Sequence, residues 1–228
     1  MGDMKMKTMR NSILCLTAVL LGATLLPGQE LSKYRGFSLG TNLADVLKLS
    51  GQKLADVKTL HARPALIQEL SWWPGSSPGA SAQPQSVEEI LFSFSGGELY
   101  KISVTYERAS TQGLTVQDMV SSISEEYGPP TNVESEMDAS NKGYDTKPSP
   151  VAAWQDSQYS FELVRASYTD RLGLSIYSKA ANAAAEQSIE QAVKLEEQER
   201  PEKEASQRKR DADDLEATRE KNQKSFRP

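Results

Sequence analysis

The chain has 228 residues, a formal net charge of −5 and an average aromatic content. That length holds one domain of ordinary size plus tails. The mild acidity gives no general reason to expect nucleic acid or an anionic membrane as a partner.

Taken in order, the chain opens with Lys5, Lys7 and Arg10, followed by an apolar run from Ile13 to Leu26. A basic segment before an apolar stretch of this length reads as a signal peptide over residues 1–29, and it is short for a spanning helix. Small residues at Gly22, Ala23 and Gly28 leave the processing point open, and an uncleaved anchor is the alternative. The single cysteine, Cys15, lies inside this run. Leu14 stands before it where a lipobox needs a small residue, so no lipid attachment is expected. A periplasmic or secreted body without cysteine has no disulfides to rely on and must be held by a packed core. Membrane contact is expected only through an uncleaved N-terminal segment.

An α+β domain is expected over 34–179. Thr41 or Asn42 can cap a helix starting near Leu43, with Leu43, Val46 and Leu47 as its apolar stripe and Gly51 as its end. Lys53 to Leu60 reads as a further helical turn or two. Pro64 opens an extended run, Ala65 to Trp73. Pro74 to Ser86, rich in Pro, Gly, Ser and Ala, reads as an exposed loop. Thr115 and Asp118 form a capping box for a second helix over Val116–Tyr127, which Gly128-Pro129-Pro130 stops. Asn132 to Pro150 has no periodicity and reads as loop. Strands are expected over Val151–Gln155, Tyr159–Ala166 and Leu172–Ser178.

The strongest strand signal is the hairpin from Glu88 to Glu107. Ile90, Phe92 and Phe94 alternate with smaller or polar residues, as do Tyr100, Ile102, Val104 and Tyr106. A three-residue turn at Ser95-Gly96-Gly97 pairs Phe94 with Glu98, Phe92 with Tyr100 and Ile90 with Ile102. It is the turn length that keeps the apolar sets on one face, because a slip by one residue inverts every side chain.

Thr41 to Leu47 aligns with Leu114 to Val120, and each segment precedes three strand candidates. The pattern reads as α-βββ twice, over 34–107 and 113–179, with two short helices covering one face of an antiparallel sheet. From residue 180 the composition changes. Ala180, Ala183, Ala184, Ile189, Ala192 and Val193 suit a helix with a narrow apolar face, which Pro201 is expected to interrupt. Beyond it the chain is charged, with both signs mixed, and reads as a solvated, frayed helix or a disordered tail to 228. The sustained apolar positions of a coiled coil are missing.

Catalytic strings are few and badly placed. Gly75-Ser76-Ser77-Pro78-Gly79 matches the string of α/β-hydrolases, with His61 as the sole histidine able to serve Ser77 or Ser76 as base. That chemistry needs a strand, a strained turn and a helix behind the serine, whereas this string sits in a Pro-rich loop. Ser50 and Lys53 are spaced as S-x-x-K but fall at a helix end. Asp138 to Asp145 partly follows a calcium loop, with Lys142 where an oxygen ligand belongs. No phosphate or dinucleotide motif is present, and no cofactor is expected. Trp72-Trp73-Pro74 carries more. In a strand the two indoles point to opposite faces, so one enters the core and the other is covered or exposed. Aromatic residues concentrate at interface hot spots, which makes Trp72, Trp73 and Pro74 the candidate partner-binding tip.

Gly36-Phe37-Ser38-Leu39-Gly40-Thr41, followed by Asp45-Val46, resembles the phrase that opens many small bacterial envelope domains. These include the β-lactamase-inhibitory-protein fold and the related small outer-membrane assembly lipoprotein. Tyr127-Gly128-Pro129 is similar to their helix ending, on the second helix. The resemblance covers at most Tyr34 to Lys179 and implies helices on an antiparallel sheet, sometimes in tandem. The cysteines and lipobox of those domains are absent, and no functional residue carries over. In layout the chain is also similar to secreted bacterial proteins of uncharacterised function. The reading that follows is a non-enzymatic binding module, secreted or in the envelope, for another protein. A serine hydrolase and a structural protein acting through the charged tail are the alternatives.

Overall fold

Asn42 caps the first helix, α1 (Leu43–Ser50): its Oδ1 accepts from the Asp45 amide at 3.0 Å. Gly51 closes it at φ 70°, where a side chain would be strained. The structure, a computed structural model, describes residues 30–76, 86–133, 149–165 and 171–227. The signal segment, Ser77 and the Asp138–Asp145 loop lie outside the described residues.

A small hairpin, β1 (Lys33–Tyr34) and β2 (Phe37–Ser38), precedes α1. After α1 a short 3-10 turn over Leu54–Asp56 leads into β3 (Val57–His61). The helical turns expected from Lys53 to Leu60 are therefore largely an edge strand, and β-branched Val57 and Thr59 fit that place. There follow β4 (Ile67–Trp72), β5 (Val87–Ser95), β6 (Glu98–Tyr106), the short α2 (Arg108–Thr111) and α3 (Val116–Tyr127). Next come β7 (Asn132–Val133), β8 (Ser149–Gln155), β9 (Tyr159–Arg165), β10 (Leu172–Ser178) and the long α4 (Lys179–Ser225). Asn132–Val133 and Ser149–Pro150, expected in loop, belong to the sheet through pairing with β8 and β9.

The sheet is antiparallel, in the order β3-β4-β5-β6-β10-β9-β8-β7. Each half is a helix followed by four strands, one more than the alignment implies, and the extra strand is the outermost of each half. The halves meet at β6 and β10, where Ser103 stands opposite Ser175, Ile102 opposite Ile176 and Val104 opposite Leu174. That register places an approximate twofold between the two serines. Across it Trp72, level with Ile90, corresponds to Trp154, level with Phe161.

The α1 and α3 helices and the β1–β2 hairpin cover one face. Val46, Met119 and Val120 pack there on Phe92, Ile102, Leu163 and Ile176. Burying each such side chain contributes about 1.5–3 kcal/mol. Trp154 is buried in this layer and its indole N–H donates to the Gly128 carbonyl at 2.7 Å.

The central hairpin departs from the expected register. Its turn has two residues, Gly96 and Gly97, at φ 60° and 84°. Both values are positive, as the tight hairpin turn that matches strand twist requires. Ser95 pairs with Glu98 and Phe94 with Leu99; then the register shifts, so that Ser93 pairs with Lys101 and Phe92 with Ile102. Tyr100 is the extra residue of a bulge. It leaves the Phe92 face and joins Ile67 and Ala185 on the other side of the sheet. Turn length alone cannot fix register when a bulge restores parity a few residues later.

The second face is crossed by α4, which begins where β10 ends. Ala181, Ala185 and Ile189 lie on Ile67, Tyr100, Leu60 and Ala65. Small side chains let the helix approach closely. At the β3 edge Arg63 donates to both carboxylate oxygens of Glu199 at 2.9 Å, and His61 Nδ1 lies 3.0 Å from Glu196. Pro201 does not interrupt α4, which continues to Ser225. The carbonyl four residues earlier loses its partner there, but the segment is exposed and water can serve that oxygen. From Pro201 to Arg227 every residue is exposed.

Candidate functional site

Trp72 and Trp73 end β4 and part company, as strand alternation requires. Trp72 turns to the helix-covered face. Its ring stands edge-on to Phe37 at 5.5 Å and stacks on Phe92 at 6.4 Å, while Phe37 and Phe92 are 4.6 Å apart. It is therefore a core residue and leaves the candidate tip. Trp73 is 49% exposed, and Pro74 beside it is buried at the start of a short 3-10 turn. A large amphipathic ring thus stands on a root fixed by Trp72 on one side and Pro74 on the other.

The surroundings of Trp73 follow from topology. At this end of the sheet the chain passes from β4 to β5 through 73–86, from β6 to α3 through 107–115, from β7 to β8 through 134–148 and from β9 to β10 through 166–171. At the opposite end the connections are short: 96–97 and 156–158 are tight turns. Across the twofold, the counterpart of Trp73 is Gln155, and Asp156 closes the turn after it by accepting from the amides of Gln158 and Tyr159 at 2.7 Å. Those amides hold the Asp156 carboxyl below the usual carboxylate range. One half of the fold therefore closes this strand pair tightly, and the other extends it from an exposed tryptophan.

Charged groups tie the described parts of the Trp73 end together. The Arg171 guanidinium pairs with the Glu88 carboxylate and donates to the Tyr106 carbonyl at 2.8 Å. Arg35 lies over the Tyr34 ring at 5.7 Å and donates to Ser86 at 3.2 Å. Beside them a cleft of about 760 Å³ is lined by Glu88, Glu107, Arg108, Leu114, Arg171 and Leu172. Its charges are of both signs, which suits a mixed polar partner surface.

A second recess, of about 540 Å³, lies on the other face between the sheet and α4. Lys101, Glu162, Ser175, Tyr177, Asn182 and Glu186 line it. Tyr177 donates to Glu162 Oε1 at 2.6 Å, and Ser160 donates to the same oxygen at 2.9 Å. Burial and the Glu162 carboxylate push the Tyr177 hydroxyl up to about 12, so it is a hydrogen-bond donor at neutral pH. Two hydroxyl donors thus converge on one carboxylate oxygen of Glu162.

Of the two serines proposed for hydrolysis only Ser76 is among the described residues, and it stands at the other end of β4 from His61. His61 ends β3 level with Ile67, at the start of β4, and faces Glu196 of α4. Ser76 follows Pro74 at the far end of β4. Among the described residues no group of three or more potential ligands gathers to hold a metal ion, and no helix is long and apolar enough to cross a membrane.

Sequence reasoning found Trp73 through the tryptophan pair. It missed Trp154 as the counterpart of Trp72, although both lie in strand runs. It also missed the second-face recess, because hydroxyl residues at alternate strand positions look like any solvated face. No known protein family, curated protein or solved structure matches the chain.

Proposed function

We propose that the chain is a non-enzymatic binding module of the cell envelope or the secreted space, and that it takes a protein partner at the sheet end where Trp73 stands. The observation that carries this reading is the exposed indole held on a rigid root, where the matching strand in the other half ends in Gln155 and a tight turn. Trp gives large contact area at small conformational cost and is enriched among residues that dominate binding energy. Export is supported by the basic and apolar N-terminal segment and by a body without cysteine. The resemblance of Gly36 to Val46 to tandem envelope domains belongs to the same proposal.

The test is capture of the partner by purified wild-type protein and by the Trp73→Ala variant, with thermal melting of both. The variant is expected to lose at least about tenfold in affinity, as removal of a hot-spot aromatic does, while its melting stays close to wild type. Unchanged binding would remove Trp73 from the contact, and a collapse of melting would place it in the core.

A further inference from the structure

The recess on the second face is floored by three neighbouring strands. Ser103 of β6, Ser175 of β10 and Glu162 of β9 stand level in one row, and Lys101, Tyr177 and Ser160 stand level in the next. Strand alternation turns both rows to the same face. The α4 helix walls the recess with Asn182 and Glu186. Its volume, about 540 Å³, lies within the roughly 300–1,000 Å³ usual for small-molecule sites.

The fold does not use up the polar groups gathered here. Glu162 Oε1 accepts from Tyr177 at 2.6 Å and from Ser160 at 2.9 Å, which fixes the carboxylate and leaves Oε2 without a partner among the described residues. Asn182 donates to Glu186 Oε1 at 3.1 Å, and the second oxygen of Glu186 likewise has no partner among them. Burial, the hydrogen bond to Glu162 and then the charges of Glu162 and Glu186 push the Tyr177 hydroxyl up. The two carboxylates, one from β9 and one from α4, therefore converge on the same point. Lys101, across the strand pair from Tyr177, has no ion-pair partner among the described residues. Arg171, at the far end of the recess, is already held by Glu88 and the Tyr106 carbonyl.

Ser175 adds an independent sign. It is only 9% exposed and lines the recess, yet its hydroxyl has no hydrogen-bond partner among the described residues. A hydroxyl this deeply buried is ordinarily bonded, and the recess is the side from which a ligand can bond it.

Glu162 and Lys101 stand on either side of β10, two strands and one two-residue step apart, which is roughly 12 Å between Cα atoms. A small molecule lying over Ser175 can thus meet carboxylates on one side and an ammonium on the other. A cation alone would leave Lys101 unpaired, and an anion alone would leave both carboxylates facing each other. A molecule carrying an ammonium and a carboxylate answers both.

We propose that this recess is a binding site for a small zwitterion of the free amino-acid class. Glu162 and Glu186 take its ammonium, Lys101 takes its carboxylate, and the Ser175 hydroxyl bonds it from below. The site stands apart from the protein contact proposed at Trp73 and does not depend on it.

Thermal melting of the purified full chain, with each common L-amino acid added in turn, tests this. At least one is expected to raise the midpoint saturably, as a ligand of the folded state does, and titration calorimetry of that one should give a single site per chain. Putrescine carries ammonium groups alone and propionate a carboxylate alone; each should bind at least about tenfold more weakly, since each forgoes a charged hydrogen bond. Glu186→Gln and Lys101→Met should each lower affinity by about tenfold or more for the same reason, with melting in the absence of ligand close to wild type. No shift with any amino acid, putrescine or propionate binding as tightly as the best amino acid, or unchanged affinity in either variant would overturn the proposal.

Discussion

Two adjacent tryptophans illustrate how differently one residue type is used here. Trp72 contacts Phe37 and Phe92 in the covered layer, so Trp72→Ala should lower stability by about 2–4 kcal/mol, somewhat under the range for a fully buried aromatic. Trp73→Ala should cost clearly less, about 1 kcal/mol, because half of its ring is exposed. Urea unfolding of the two variants side by side reads the contrast. Gly173 gives a sharper case. A Cβ built there would stand 2.5 Å from the Val104 carbonyl oxygen, across the β6–β10 junction. The oxygen is backbone and cannot turn aside, so Gly173→Ala should cost about 1–3 kcal/mol, read in the same unfolding experiment. The sequence makes Gly173 look like an ordinary strand glycine, because close approach by a neighbouring backbone leaves no local signal.

At the scale of elements, the helix ends were the most legible part. Thr115 with Asp118 announces its helix as a capping box, and the structure bonds the two as expected; for the first helix the sequence left Thr41 or Asn42, and Asn42 is the cap. Thr115→Ala should therefore cost about 1 kcal/mol in thermal or urea unfolding. Strand faces were equally plain for Phe92 and Ile102, since alternation is a local property. The bulge at Tyr100 was not, because nothing in Gly97-Glu98-Leu99-Tyr100 states which residue will be extra. That depends on Ile67 and Ala185 offering Tyr100 a place on the second face, and those contacts span most of the chain. The continuity of α4 through Pro201 has a similar cause. A proline is costly in a packed helix, but this segment is exposed and water reaches the orphaned carbonyl.

At the scale of the whole molecule, tyrosines link the layers to alkaline stability. Tyr127 and Tyr177 are each pushed up to about 12, first by burial, and burial also raises Tyr34, Tyr100 and Tyr106. In the unfolded chain a tyrosine ionises near pH 10. The folded state favours the neutral form, so the contribution is complete below about pH 10 and is lost as pH rises from there towards 12. Melting should stay level up to about pH 10 and then fall. Ionisation of Tyr127 or Tyr177 at about pH 10 in a chain that is still folded, read at those two positions by NMR of labelled tyrosine, would contradict this.

The twofold arrangement also explains where function can differ between equivalent halves. The two halves share helix caps, core positions and the Trp72–Trp154 correspondence, which are the demands of a common fold. They differ in their connections, and the extended one begins at Trp73. The most direct measurement of that claim places a photo-activatable cross-linking residue at position 73 and, as a control, at exposed position 58 on the β3 edge, in the native cell. The account predicts a discrete adduct with a different protein chain from position 73 and none from position 58. No adduct from position 73, or the same adduct from both, would contradict it.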